Sequence, residues 1–217
     1  MVTASRAPRI RAAHVSPPSG FRRNISRGEV VCSGVERAFP VQLLAISGSL
    51  RQSSSNSALV AAAARLAPAG VHISIFDALA ELPAFNPDLD EERTPAAVSR
   101  FRRQLRTCDA VLISAPEYAH GAPGALKNAL DWVVGSGELI GKPIALVNTS
   151  ARATHAWSSL LETLTVMSAT VVPGASIVIP LQGQTDGGTI LEDLELRGRL
   201  SVVIEAIAAA ARDARVV

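Results

Sequence analysis

The sequence predicts a doubly wound α/β fold, a five-stranded parallel sheet with helices on both faces. Three observations carry that expectation. From Val41 onward, short apolar runs alternate five times with longer segments of helical spacing. Of the 217 residues, 48% are hydrophobic, enough for a large buried core. Two strand-to-helix junctions, at 47–56 and 116–123, are dense in Gly, Ser and Pro, where an open parallel sheet places its ligands.

Taken in order, Val41–Ile46 is a strand and Ser57–Leu66 an Ala-rich helix that ends near Pro68 and Gly70. Val71–Phe76 is a β-branched strand, Pro83–Glu92 a polar loop and Pro95–Arg106 a helix. Asp109–Ala115 forms a buried strand. The helix after Pro123 carries Leu126, Ala129, Leu130 and Val133 on one face. Pro123 suits a first helical turn, where a missing N–H costs nothing, and Gly135-Ser136-Gly137 stops the helix. Pro143–Val147 is a strand, His155–Met167 a helix, and Thr170–Ile179 a strand interrupted near Pro173. Leu191–Arg212 closes the chain as a helix broken or softened at Gly198.

The net charge of +2 is unevenly spread. Residues 1–39 hold seven Arg against Glu29 and Glu36 (+5), leaving 14 basic and 17 acidic residues (−3) in the body. That body has no broad basic face for nucleic acid, and no apolar run reaches the roughly 18 residues that cross a bilayer. The first 39 residues, rich in Arg, Pro, Gly and Ser, lack periodicity. They are expected to be a disordered or non-native extension, with an organellar transit peptide as the other reading. The domain is then 40–217. Cys32 and Cys108, the only cysteines, fit a reducing cytoplasm better than a disulfide framework.

Ser47–Leu59 leads a strand into a helix with Gly48, five serines through Ser55, Arg51 and Asn56. Small residues let backbone N–H groups converge on an anion, hydroxyls add donors, and Arg51 supplies a fork that matches phosphate. The plainer alternative is a capping loop with Ser55 or Asn56 as N-cap. The chain has no G-x-x-x-x-G-K-[ST] motif, no G-x-G-x-x-G after the first strand and no G-x-S-x-G elbow. His14, His72, His120 and His155 lack metal-ligand spacing.

The pairing of G-S-L-R-x-x-S-x-N (Gly48–Asn56) with PEY-x-x-G-x-PG-x-LKNA-x-DW (Pro116–Trp132) resembles the NADPH-dependent FMN reductase family, from about Val41 to the last helix. The resemblance implies a flavodoxin-like fold, FMN and NADPH as cofactors, and electron transfer to a small acceptor such as a flavin or quinone. It also implies a homodimer or homotetramer. Ser49, Arg51, Ser54, Ser55 and Asn56 fall on or beside positions that hold the FMN phosphate. Pro116, Glu117, Tyr118, Ala119 and Gly121 fall on the loop along the isoalloxazine ring, and Thr149-Ser150 on a third flavin-side loop. Gly124, Leu126, Lys127, Asn128 and Trp132 match a segment that shapes the second loop and its helix. Core packing is the expectation for Leu126 and Trp132, while Lys127 and Asn128 are read equally as loop supports or ligand contacts.

Two departures stand out: Ala119 where the family usually has Asn, and Ala151–His155 where relatives often carry a Gly-rich stretch. An electron carrier like flavodoxin is the alternative, although a body of only −3 lacks the strongly acidic docking face of such carriers. A flavin-free redox-sensing or interaction protein on the same fold is the other.

Overall fold

The computed structural model describes residues 39–90, 93–181 and 186–215. The expected extension (except Phe39) and Cys32 lie outside them. The described residues belong to one unit, Ala38–Val217. Its elements are β1 (Val41–Ser47), α1 (Ser55–Arg65), β2 (Val71–Phe76), α2 (Ala96–Thr107), β3 (Ala110–Ser114), α3 (Gly124–Val134), β4 (Pro143–Asn148), α4 (Thr154–Val166), β5 (Thr170–Val171), β6 (Ile177–Val178), α5 (Gly187–Glu192) and α6 (Leu194–Ala214).

The sheet runs in the order β2-β1-β3-β4-β5, with β6 also on β4, and every pairing is parallel. β5 and β6 are the two halves of the interrupted strand, separated by a 3₁₀ turn at Pro173–Ala175. The five expected strand positions are therefore present. Two-residue periodicity sorts the core onto two faces. Leu44, Ile46, Val111, Ile113, Ile144 and Leu146 pack with Phe101, Leu130, Trp132 and Leu160 of α2, α3 and α4. Leu43, Ala45, Ala110, Leu112, Ala145 and Val147 pack with Leu59, Val60, Leu200 and Ile204 of α1 and α6. Arg102, buried in α2, donates from Nε to the Trp132 carbonyl at 3.1 Å and pairs with Asp90 at 2.6 Å, joining α2 to α3.

Helical structure starts earlier than expected at α1 (Ser55 against Ser57) and at α5 (Gly187 against Leu191), and two further expectations, the break at Gly198 and the cap of α1, are corrected. The C-terminal helix breaks at Asp193, not at Gly198, which sits inside α6. Asp193 leaves the helical region at ψ 114°, and its carboxylate accepts from the Glu195 and Leu196 N–H groups at 2.9 and 3.0 Å, so it caps a new helix. The cap of α1 is Ser54, whose hydroxyl accepts from Ser57 N–H at 3.5 Å, rather than Ser55 or Asn56.

At the opposite end of the sheet from the strand-to-helix loops, Arg215 makes a two-pronged pair with Asp109 at 2.8 and 2.5 Å. Partial burial raises the Asp109 carboxyl. The bonds from Arg215 and the Gln42 N–H, with the charges of Arg215 and Lys142, outweigh it and hold the group below its ordinary 3.8. A lowered folded-state value contributes stability that is present above about pH 4 and lost as pH falls through the folded value. Asp109→Asn is thus expected to lower the urea midpoint at pH 7. The gap from wild type should narrow as pH falls below about 4.

Candidate functional site

β1, β3 and β4 lie side by side with Ser47 opposite Ser114 and Ser114 opposite Val147, so the loops that follow them open at one edge. The strand order reverses direction between β1 and β3, the point in this topology where two loops part and a crevice forms. Asn56, in the first turn of α1 and 5% exposed, knots this edge together. Its Oδ1 accepts from Ser114 Oγ at 2.9 Å and Thr149 Oγ1 at 3.3 Å, which fastens the starts of the second and third loops to the first. Its side-chain oxygen is thus a strut between strands, a role its place in a Ser-rich loop does not advertise.

The first loop is held from within. Ser47 Oγ lies 2.9 Å from Ser57 Oγ, and Ser49 Oγ accepts from the Arg51 N–H at 3.3 Å. Ser49 and Ser54 are buried, and each uses its oxygen as an acceptor here; a hydroxyl still has a proton to donate. α1 carries no acidic residue in its first turn, so its N-terminus presents a positive end. Ser55 opens α1. Arg51 is exposed and forms no ion pair among the described residues. Gly48 is required by close approach: a Cβ there would meet Ala115 Cβ at 2.9 Å and Leu126 Cδ2 at 3.1 Å. The first two loops therefore pack backbone against side chain.

The second loop is a tight reverse turn. Tyr118 and Gly121 exchange backbone hydrogen bonds at 3.1 and 2.9 Å, while Ala119 (φ 48°) and His120 (φ 59°) occupy the left-handed region between them. This two-residue turn with both central φ positive favours Asn, Asp or Gly, which gives the Asn-to-Ala departure its physical meaning. An L-alanine in that region costs about 1 kcal/mol or more. Ala119→Gly is expected to raise the thermal midpoint by about 2 °C, since relieved strain outweighs the added unfolded-state entropy. A calorimetric scan checks it, and an unchanged or lower midpoint contradicts it.

Glu117 reaches the start of α4. Its Oε2 accepts from the Ala156 N–H at 2.9 Å, in the first turn of α4, and its side chain is 15% exposed. Half-buried Pro116 precedes it. Farther along, Leu126 and Trp132 are fully buried, the core packing expected of them. Asn128 and Trp132 also hold the loop after β2: Asn128 Nδ2 and Trp132 Nε1 donate to the Pro83 carbonyl at 2.9 and 2.8 Å, and Asn128 Oδ1 accepts from Phe85 N–H at 2.8 Å. Lys127 pairs with Asp131 one turn along α3 at 2.5 Å. Lys127 and Asn128 thus have structural partners.

Between the first two loops lies a cleft of about 350 Å³, walled by Gly48, Leu50, Arg51, Tyr118, Pro123, Gly124 and Ala125. Its size suits a small-molecule ligand, and it sets a guanidinium at one wall and an aromatic ring at another. A larger cavity of about 530 Å³ lies on the far side of the serine loop, against Ser53, Ser54, Ser57 and Asp186. Hydrogen bonds from Thr189 hold the Asp186 carboxyl below its ordinary 3.8. Ser150 lies on the third loop, exposed and outside the walls of the cleft. Asn148 shapes that loop: its Nδ2 donates to the Ala153 carbonyl at 2.8 Å, and its Oδ1 accepts from the Ser150 N–H at 3.0 Å. The sequence places Thr149 on the third loop, and it marks neither Ser114 nor Asn148 for these bonds. The signal for Ser114 and Asn148 is a polar side chain ending an otherwise apolar strand.

The model of the NADPH-dependent FMN reductase family matches residues 41–184. An NAD(P)H-dependent FMN reductase of Pseudomonas aeruginosa is 42% identical over 113 residues, which cover 51% of this chain and 60% of the relative. A quinone reductase of Escherichia coli is 36% identical over 114 residues, with the same two shares. The chain spans about 60% of the length of these curated relatives. Among solved structures, the flavoenzyme NAD(P)H:(acceptor) oxidoreductase FerB of Paracoccus denitrificans superposes with a TM-score of 0.64 at 26% identity, covering 80% of this chain and 98% of that one.

Proposed function

The chain belongs to the NADPH-dependent FMN reductase family, and from that premise we propose that it is an oxidoreductase passing electrons from NADPH through FMN to a small acceptor of the flavin or quinone kind. The observation that carries this reading is the cleft between Arg51 and Tyr118, with the serine loop and the positive end of α1 beside it. That arrangement offers a place for a phosphate at one side and a planar ring at the other. Arg51, Ser49, Ser54, Ser55 and the first-turn N–H groups are the proposed phosphate holders. The Pro116–Gly121 loop, Tyr118 above all, borders the ring, and Ser150 is the proposed contact from the third loop. Asn56 acts by keeping the three loops in register. When bound, FMN supplies the two-electron chemistry, and the protein supplies binding, orientation and shielding.

The proposed reductase domain is 40–217, acting in the cytoplasm as a homodimer or homotetramer. Burial pushes the Cys108 thiol up to about 11, so it stays protonated at neutral pH. No helix among the described residues is long and apolar enough to cross a membrane. Val134, Ile140 and Val166 are exposed apolar side chains available to a second copy. The test is to purify the full chain, record the flavin spectrum after adding FMN, and follow NADPH oxidation with a quinone. Uptake of FMN with acceptor-dependent oxidation supports the proposal; no uptake at micromolar FMN overturns it.

A further inference from the structure

Two imidazoles stand together on the second and third loops. The rings of His120 and His155 meet edge to face, 4.4 Å between centroids at 81°. His120 Nδ1 lies 3.7 Å from Glu117 Oε1, and the other oxygen of Glu117 is tied to the Ala156 N–H. The His120 side chain is 77% exposed, so Glu117 and His155 orient it on one side while the rest meets solvent. The backbone beneath it is costly, since Ala119 and His120 both hold positive φ. Strain of this kind persists where a loop is over-determined for a task. Neither histidine is among the residues that wall the cleft, and the turn that carries His120 begins at Tyr118, which is.

We infer that His120, oriented by Glu117 and His155, donates a proton to the carbonyl oxygen of a quinone acceptor at the mouth of the cleft. The inference rests on the reductase reading and narrows its acceptor class. A quinone becomes a hydroquinone by taking two electrons and two protons. FMN held by Arg51 and the serine loop would supply two electrons and one proton, drawn from NADPH. The second proton leaves the His120 imidazolium as its N–H bond breaks and an O–H bond forms on the acceptor. Solvent then reprotonates the exposed ring. His120 is the catalytic residue in this step, and Glu117 and His155 are positioning residues.

The test compares acceptors, since ferricyanide takes electrons and needs no proton. His120→Asn, loaded with FMN, is expected to lose about 100-fold in kcat for duroquinone, within the range of general-acid effects, while ferricyanide reduction changes less than threefold. His155→Asn is expected to lose about tenfold with duroquinone, with the same ferricyanide rate. A readout without turnover uses the oxidised, FMN-loaded protein and no NADPH. Adding duroquinone should shift the imidazole NMR signals of both histidines. His120→Asn with an unaltered quinone rate, equal losses with both acceptors, or unmoved imidazole signals would each overturn the inference. Wild-type protein that takes up no FMN fails earlier and sinks the reductase reading instead.

Discussion

Arg51→Ala is expected to weaken FMN binding by roughly 10- to 100-fold, the loss of a charge-assisted hydrogen bond of about 1.5–3 kcal/mol. The unfolding midpoint should stay within about 1 °C, because Arg51 is exposed and forms no ion pair among the described residues. Arg51→Lys keeps the charge and loses the planar fork, so it should fall between the two. Flavin fluorescence quenching measures all three. An Arg51→Ala protein with unaltered FMN affinity would move the phosphate away from the first loop.

Asn56 gives the second large effect, and two substitutions separate its roles. Asn56→Ala removes the acceptor for the Ser114 and Thr149 hydroxyls in a buried setting. It should cost about 2–3 kcal/mol in urea unfolding and weaken FMN as the three loops lose their common anchor. Asn56→Asp keeps an oxygen acceptor in place, so the fold should lose less. It also sets a negative charge beside the proposed phosphate loop, and FMN affinity should fall at least as far as in the alanine variant. If the aspartate variant bound FMN like wild type, the phosphate would lie elsewhere.

Much of the fold is legible because the strands are short and apolar, the central three buried on both faces. Val71–Phe76 has the same bounds in sequence and structure, and the interruption near Pro173 becomes a 3₁₀ turn between β5 and β6. Helix ends are harder, since they depend on which of several similar side chains finds the geometry. In Ser53-Ser54-Ser55-Asn56 four residues could cap a helix, and only the folded loop selects Ser54. Gly198 is intrinsically helix-weakening, yet the break falls at Asp193, whose carboxylate offers two N–H groups an acceptor.

The site shows the same division. Both motifs fall at one edge of the sheet, because strand-to-helix loops of a parallel sheet share one end. Which motif residues face a ligand and which brace the loops is set by long-range contacts with no local signature. Glu117 reaches 39 residues along the chain to α4, and Asn128 and Trp132 reach back to Pro83. Ala119 lies between these cases. Its departure from the family pattern is visible in sequence, while its consequence, a left-handed turn built on the wrong residue, needs the backbone angles.

The most direct test of the central claim, a phosphate-binding first loop beside a ring-binding second loop, is a paired titration of the full chain with FMN and riboflavin. The two ligands share the ring and differ in the phosphate. FMN is expected to bind about 100-fold more tightly, in keeping with one charged fork plus several hydroxyl and N–H donors. Equal affinities would contradict the phosphate assignment even if the protein proved to bind flavin.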